Sequence, residues 1–388
     1  MSQRPDYVRL LSRGLAVAAM LGAYYVASRR PVPAAPPRLI DWGRVRGIAS
    51  AIARRAGDLG SYEHLRPVYA DMVDRSRGII VDYTGEALPR GADNVYVFDR
   101  LQWLEANVEN FQLLFEPIEE VNGDLLRSNT LGLRAFGDVN QLVLSGQMGI
   151  LLGYLSRRVL GQYDLALLGR EPVTTGRLYF VEPNIAHLER KLGLEARDFR
   201  LWIALHETTH AYEFEAHPWV REHMNGLLRR YFATLGEDLN NLRTDARGVL
   251  SFVRRVGQNV GKGGYAVELV MTPEQREIFR SLQALMCLLE GYSNHVMDHV
   301  GRSLLPTYER MKARFEDRQR RRGLPDRLFA KLTGLDVKFE QYQLGERFVN
   351  EVVGRVGVQG MNRVWRGPSA LPTLDEVRAP ERWIERTV

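Results

Sequence analysis

The residue types and spacing in this chain that are best suited to metal binding and catalysis lie at positions 206–210. They read His-Glu-Thr-Thr-His, with two histidines four positions apart and a glutamate beside the first. On a helix, residues four apart lie one turn above each other, with Cβ atoms about 5–6 Å apart, so both imidazoles can converge on one cation. Glu207 would lie beside that cation without binding it, where it can hold a water molecule and remove its proton. The pattern therefore predicts a zinc site with Glu207 as general base.

The residues around the motif predict that its helix is buried on the histidine side. The helix should begin at Asp198, a residue type suited to an N-cap, and end before Pro218. Apolar residues recur with the two histidines at helical spacing and define one face: Phe199, Ile203 and Phe214. A single histidine on such a face is more often a satisfied core residue than a ligand. Two of them around a glutamate, in a chain with 8 histidines, favour metal binding.

A third ligand is needed, because a catalytic zinc normally takes three protein ligands and leaves the fourth position to water. The metzincin arrangement would place glycine at position 213 and histidine at position 216. This sequence has Glu213 and Ala216 there, and His217 is one residue out of register. The third ligand should therefore come from another part of the chain.

Glu290 is the best candidate for that ligand. It lies in a segment, residues 281–301, whose apolar residues recur at helical spacing and predict a largely buried helix. Met286, Cys287 and Met297 are among its helical neighbours, so the carboxylate is expected in mostly apolar surroundings. An unpaired buried carboxylate is costly and needs a cation or a proton. Zinc would satisfy it, and pairing with an arginine is the alternative.

Other polar residues near these two helices have roles that the sequence leaves open. Those on or just after the first helix would have to reach the metal past the two histidines: Glu213, Glu215, His217 and His223. Asn294, one turn beyond Glu290, is the first choice for a group that orients a ligand imidazole through its other nitrogen, with His295, Asp298 and His299 as further candidates. Tyr292 or His295 could donate to a developing oxyanion, and the spacing does not select between them.

Four stretches of the chain resemble one bacterial protein family. They read HETTH, EGYSNHVMD, GQMGILLGYLSRRVLGQYD and MNRVWRGPSALPTLDEV, and the resemblance runs from about Asp41 to the C-terminus. The family consists of uncharacterised proteins described as predicted zinc-dependent metalloproteases of the zincin-like superfamily, with a domain-of-unknown-function label. Some members are named as hydrolases, and others as associated with deazaflavin coenzyme biosynthesis.

The resemblance implies a zincin-like fold and one Zn²⁺ per chain. It implies His206 and His210 as ligands, Glu207 as general base, and Glu290 as a third ligand of the gluzincin type. Two features depart from the simplest gluzincins: the separation between positions 210 and 290 is longer, and Asn294 stands where those enzymes usually have an aspartate. The resemblance implies no particular natural substrate.

Composition agrees with a compact enzyme. A chain of 388 residues that is 45% hydrophobic can bury a large core. Its single cysteine, Cys287, excludes an intramolecular disulfide and is expected to be a small buried hydrophobe. The net charge of +6 is modest, and no basic stripe interleaved with aromatics is present, so we expect a peptide or protein substrate and no nucleic-acid partner.

The N-terminal residues 1–38 are expected to lie outside the folded domain, which we predict over residues 39–388. Residues 14–27 are apolar but shorter than the roughly 20 residues of a membrane-spanning helix, and the Pro-rich residues 31–37 predict a stiff linker. If the apolar segment does span a membrane, the larger number of arginines after it than before it favours a cytoplasmic catalytic domain. Membrane association through residues 14–27 is an open alternative, and the oligomeric state stays open too.

The periodicity predicts a mainly α (α+β) fold: many packed helices and a small sheet beside the zinc helix. Helices are predicted near residues 40–57, 62–77, 99–128, 131–162, 184–192, 198–216, 219–244, 273–300, 303–321 and 338–354, and strands at 78–83, 95–98 and 177–182. The last strand lies just before the zinc helix, where the resemblance to zincin-like sites implies an edge strand that receives an extended substrate. Gly146, Gly149 and Gly153 share one helix face and should permit close packing, whereas residues 257–264 predict a loop.

Two functional hypotheses follow from these residues. The leading one is a zinc-dependent metallopeptidase in which a metal-activated water hydrolyses a peptide or related amide bond. The rival is a non-catalytic, zinc-stabilised binding or scaffold protein that uses the same fold without turnover. Both predict bound metal, so only turnover separates them.

Overall fold

The computed structural model describes residues 39–55, 57, 59–88, 94–126, 131–164, 176–244, 271–320 and 335–388. The predicted apolar segment at residues 14–27 and the predicted loop at residues 257–264 lie outside these ranges. Within them, none of the helices is both long enough and apolar enough to cross a membrane.

Helices form most of the described chain, and a three-stranded sheet accompanies them, as the sequence predicted. The helices are α1 (Trp42–Arg54), α2 (Arg66–Thr84), α3 (Arg100–Leu126), α4 (Leu131–Ser156), α5 (Glu182–Leu192), α6 (Ala196–Glu215), α7 (Pro218–Thr244), α8 (Pro273–Leu304), α9 (Tyr308–Arg320), α10 (Leu335–Met361), α11 (Leu374–Arg378) and α12 (Pro380–Thr387). The strands are β1 (Val95–Phe98), β2 (Gly161–Asp164) and β3 (Arg177–Val181). Short 3-10 turns lie at Glu63–Leu65, Asn362–Arg366 and Pro368–Ala370.

Side-chain caps define the starts of the two helices that carry the candidate site. Helix α8 begins with a capping box between Thr272 and Gln275, and a proline occupies its first turn. Helix α6 begins after Glu195, whose carboxylate accepts from the Asp198 N–H at 2.7 Å. The predicted N-cap Asp198 therefore lies inside the helix. Its own carboxylate accepts from the N–H and the hydroxyl of Thr307.

The sheet has the order β1-β3-β2, so β3 is the central strand. Strand β1 runs parallel to β3, and β2 runs antiparallel to it with Gly161 opposite Phe180. The strand predicted at 177–182 is confirmed, but its predicted place at the sheet edge is wrong. The edge next to α6 is β2, which begins inside the helix predicted over 131–162.

The strand predicted at residues 78–83 is also wrong, because these residues belong to α2. Their apolar run is too short for its periodicity to separate a strand from a buried helix segment. In the helix, Ile80 and Thr84 lie four residues apart on the buried face. The Thr84 hydroxyl donates to the Ile80 carbonyl at 2.8 Å, so this polar group is satisfied within the helix.

The chain divides into two compact units. The first combines the described residues of Met1–Gly57 and Leu104–Ser156, and in it α1 packs against α4. A Cβ built on Gly149 would lie 2.8 Å from Ile48 Cβ, and one on Gly153 would lie 2.8 Å from Ile52 Cβ. These two glycines permit close packing as predicted, whereas a Cβ on Gly146 would meet no atom within 4 Å.

The second unit combines Asp58–Trp103 and Arg157–Val388 and contains the sheet, α6, α8 and α10. Helices α8 and α10 approach so closely that their backbones touch. A Cβ on Gly291 would overlap the Gly345 backbone, and a Cβ on Gly345 would overlap the carbonyl of Cys287. Cys287 is fully buried, as predicted. This crossing fixes α8 at the residue that follows Glu290.

We expect Gly345→Ala to lower the free energy of unfolding by about 1–3 kcal/mol, because the added methyl group meets backbone atoms that cannot rotate away. Gly354→Ala on the same helix is the matched control, since a Cβ there meets nothing within 4 Å. That control should be neutral or stabilising. Urea unfolding measures both variants, and equal stability of Gly345→Ala and wild type would contradict the close crossing.

Candidate metal centre

The three predicted metal ligands lie together. His206 and His210 project from α6 and Glu290 from α8, and one ligand atom of each lies within 4.8 Å of the others. Glu290 Oε2 is 3.8 Å from His206 Nε2 and 3.7 Å from His210 Nε2. The two imidazole rings are 4.8 Å apart at their centroids, with planes at 84°. Two segments far apart in sequence thus point three donor atoms at one place.

This donor set fits zinc. Imidazole nitrogen and carboxylate oxygen are both zinc ligands, and a tetrahedral ion with bonds of about 2.0–2.2 Å holds its ligand atoms roughly 3.3–3.6 Å apart. The separations from Glu290 are close to that range. The Glu290 side chain is 7% exposed, and the two histidine side chains are 18% and 15% exposed. The donors are therefore largely desolvated, with the histidines partly open to solvent.

Thr208 and Thr209, inside the motif, have a structural role. Both are fully buried on α6. Their hydroxyls donate to the carbonyls of Ala204 at 2.6 Å and Leu205 at 2.8 Å, one turn back on the helix. Such bonds satisfy a buried hydroxyl without a partner outside the helix. The two residues are thus packed into the protein while their neighbours face the metal centre.

Glu213 and Ser293 hold the second nitrogen of His210. The Glu213 Oε2 atom lies 2.8 Å from His210 Nδ1, and Ser293 Oγ lies 3.1 Å from the same nitrogen. The Ser293 hydroxyl also donates to Glu213 Oε1 at 3.1 Å. With Nδ1 donating its proton to Glu213, the Nε2 lone pair faces Glu290 and is available to a cation. One carboxylate therefore sets both the tautomer and the direction of the ligand ring.

The sequence favoured Asn294 for this orienting role, and for His210 the structure instead places Glu213 and Ser293 there. The sequence suggests Glu213 only as a direct ligand that would have to reach past the histidines. Its position three residues after His210 does predict the orienting role, because residues three apart on a helix share a face. Ser293 carried no comparable signal, since its place depends on how α8 packs against α6.

Electrostatics at this centre favour positive charge. Burial raises the pKa of Glu213 to about 7, although its bonds to His210 and Ser293 oppose the rise. Burial alone would lower the pKa of His210, but the carboxylates of Glu213 and Glu290 outweigh it and raise that pKa well above its ordinary value. Two buried carboxylates beside one imidazole stabilise either a proton or a bound cation.

Glu207 lies where helix α6 meets strand β2. It is 7% exposed, and its side chain lies against the backbone of Gly161, the first residue of β2. A Cβ on Gly161 would be 2.6 Å from Glu207 Cγ and 2.7 Å from Glu207 Oε1. The residue predicted as general base therefore sits beside the edge strand, one position along α6 from His206.

Tyr292 and His295, the predicted oxyanion donors, have other partners. The buried Tyr292 hydroxyl donates to Asn362 Oδ1 at 2.8 Å. His295 has both ring nitrogens engaged, Nε2 with the Tyr83 hydroxyl at 2.6 Å and Nδ1 with Asn350 Oδ1 at 2.5 Å. These contacts join α8 to α2, to α10 and to the 3-10 turn at Asn362–Arg366.

The remaining candidates also lie outside the group of three ligands. Glu215 accepts from the Tyr163 hydroxyl and from the Gly176 N–H, each at 3.2 Å. The His217 ring stacks on Trp365 with centroids 4.8 Å apart, and burial lowers its pKa to about 4. The others contact neighbouring side chains: His223 lies beside Trp219, Asp298 pairs with Lys312, and His299 packs on Tyr83.

We expect Glu213→Gln to weaken zinc affinity about 10- to 100-fold, because the amide loses the charge that orients and polarises His210. Competition with a chromogenic chelator measures the dissociation constant. Glu222→Gln, at an exposed position of α7, should bind zinc like the wild type. An unchanged constant in Glu213→Gln would contradict the orienting role.

Zinc affinity should fall as the pH is lowered, because both histidines and Glu290 bind metal only when deprotonated. The raised pKa of His210 means that protons compete at higher pH than they would at an imidazole of ordinary pKa. Zinc titrations between about pH 8 and pH 5.5 should show binding that weakens progressively as the pH falls. A constant affinity across that range would argue against these ligands.

Comparisons with known proteins agree with this geometry. The sequence profile of a family described as zincin-like metallopeptidases matches residues 40–384. Among curated proteins, none matches the chain. A crystal structure from Chloroflexus aurantiacus, titled a "putative hydrolase with a novel fold", shares 43% sequence identity at a TM-score of 0.65 and covers 89% of this chain and 98% of its own. The chain belongs to the zincin-like metallopeptidase family.

Proposed function

We propose that the protein is a zinc-dependent metallopeptidase with a gluzincin-like ligand set. His206, His210 and Glu290 would hold the metal, and Glu207 would act as general base. The observation that carries the proposal is the convergence of one donor atom from each of the three ligands within 4.8 Å, beside a buried glutamate. Membership of the zincin-like family supports it, as does the similarity to the Chloroflexus structure, which is described as a hydrolase.

The chemistry divides between the metal and the chain. When bound, zinc acts as a Lewis acid that lowers the pKa of water to about 7 and polarises a carbonyl group. Glu207 takes the proton from the attacking water and gives it to the leaving nitrogen. Glu213 keeps His210 in the tautomer that leaves Nε2 free for the metal. The low exposure of Glu207 and Glu290 keeps competing water away from these steps.

Strand β2 supports an extended peptide as substrate. The Leu160 carbonyl accepts from the Val181 N–H at 2.8 Å, and hydrogen-bonded positions alternate along an antiparallel pair. The N–H and C=O groups of Gly161 and Tyr163 therefore point away from β3, toward the side of β2 that pairs with no other described strand, here called the free edge. A peptide that adds to this edge by main-chain hydrogen bonds would pass beside Glu207. We infer a peptide or protein substrate bound through its backbone, with related amides as further candidates.

Glu207→Gln should keep about one zinc per chain and lose hydrolysis by about 100- to 10,000-fold, since the amide cannot accept the proton. Metal analysis and digestion of a broad peptide library measure the two properties. Glu222→Gln serves as the control for loss of a carboxylate elsewhere and should cleave at the wild-type rate. Retained activity in Glu207→Gln would remove the proposed base.

The same digest separates the leading proposal from its rival. A metal-loaded wild-type protein that cleaves nothing in the library would favour a zinc-stabilised binding or scaffold protein. Cleavage that disappears with chelator and returns with zinc would favour the peptidase. The rival accounts for the metal ligands, but it gives no reason for a buried glutamate that follows the first histidine and also lies against β2.

A further inference from the structure

The first residue of β2 leaves no room for a side chain, and the space it leaves is occupied by Glu207. A Cβ on Gly161 would lie 2.6 Å from Glu207 Cγ, 2.8 Å from Cδ and 2.7 Å from Oε1. We propose that Gly161 is a positioning residue for the general base: because it has no side chain, the Glu207 carboxylate can lie at the strand edge. The proposal rests on the proposed function for the role of Glu207, but the contact itself can be tested without turnover.

Strand β2 cannot move away to accommodate a side chain at position 161. On one side it pairs with β3. On one face the Gln162 amide accepts from the Trp103 indole at 2.7 Å. On the other face the Tyr163 hydroxyl donates to Glu215 on α6 at 3.2 Å, and the Tyr163 ring stacks on Phe214 with planes at 13°. The strand is thus fixed to the sheet and to the zinc helix within two residues of Gly161.

Helix α6 is fixed as well. Leu205 and Thr208, on either side of the His206-Glu207 pair, are 1% and 0% exposed, so the helix backbone is held by a packed core. With both backbones held, an added methyl group at position 161 would displace the one part that can rotate, the Glu207 side chain. The carboxylate would leave its place beside β2, while the helix backbone that carries the two histidines stays where it is.

Gly161 also offers its own N–H and C=O groups to the free edge. An alanine keeps both groups and keeps an extended backbone, so main-chain pairing with a peptide should persist. Gly161→Ala therefore changes the position of the Glu207 carboxylate without changing the main-chain groups that would bind a peptide. We expect it to reduce the rate of proton transfer, and hence kcat, while KM changes little.

A thermal double-mutant cycle tests the contact without a substrate. The set is wild type, Gly161→Ala, Glu207→Ala and the double variant, each measured as the zinc-loaded full chain. Gly161→Ala should lower the melting temperature by several degrees in the wild type and by clearly less when the Glu207 side chain has been removed. Equal shifts in the two backgrounds would overturn the proposal. Gly78→Ala on α2 is the control, because a Cβ there meets nothing within 4 Å.

The rate of cleavage of a peptide-library substrate tests whether Gly161→Ala impairs Glu207 as general base. Gly161→Ala should reduce kcat about 100-fold with zinc content unchanged, and adding Glu207→Gln should cause little further loss, because the two substitutions act on one group. Fully additive losses, or a change confined to KM, would contradict positioning. If the wild type cleaves nothing, the proposed function fails, whereas the thermal cycle still decides whether Gly161 and Glu207 are in contact.

Discussion

The carboxylate of Glu290, held out of water opposite two imidazoles, is the constraint around which the second unit is organised. A desolvated carboxylate without a cation or a proton is costly, so the positions of His206 and His210 relative to Glu290 control the energetics of this region. The three candidate ligands come from two helices, and no short stretch of chain can bring them together. Their alignment depends on how α6 and α8 pack, and therefore on contacts well away from the metal centre.

Two of those contacts have clear physical roles. Helices α8 and α10 cross at Gly291 and Gly345 with their backbones in contact. This contact fixes the position of Glu290, the residue before Gly291, along α8. The bridge from Glu213 to Ser293 joins α6 to α8 and orients His210 at the same time. A polar contact next to the candidate ligands thus ties α8 to α6, and a backbone crossing behind them ties α8 to α10.

The sequence predicted the parts of the site that local spacing encodes. The two histidines and Glu207 lie within one helical turn, and Glu290 could be found because a carboxylate in an apolar helix needs a partner. Glu213 was missed although its spacing from His210 was informative. Strand β2 was missed because its four residues follow a long helix and are too few to show an alternating pattern. Strand β2 forms only by pairing with β3, and the residues of β2 alone do not predict that pairing.

The brevity of β2 limits how a substrate could be recognised. With two outward-facing residues, the strand can form only a few main-chain hydrogen bonds, too little to hold a long peptide by its backbone alone. Tight binding would need pockets for individual side chains or a partly folded substrate that presents one exposed segment. A short ladder also lets cleaved fragments dissociate readily, which suits repeated cuts in flexible chains better than retention of one long ligand.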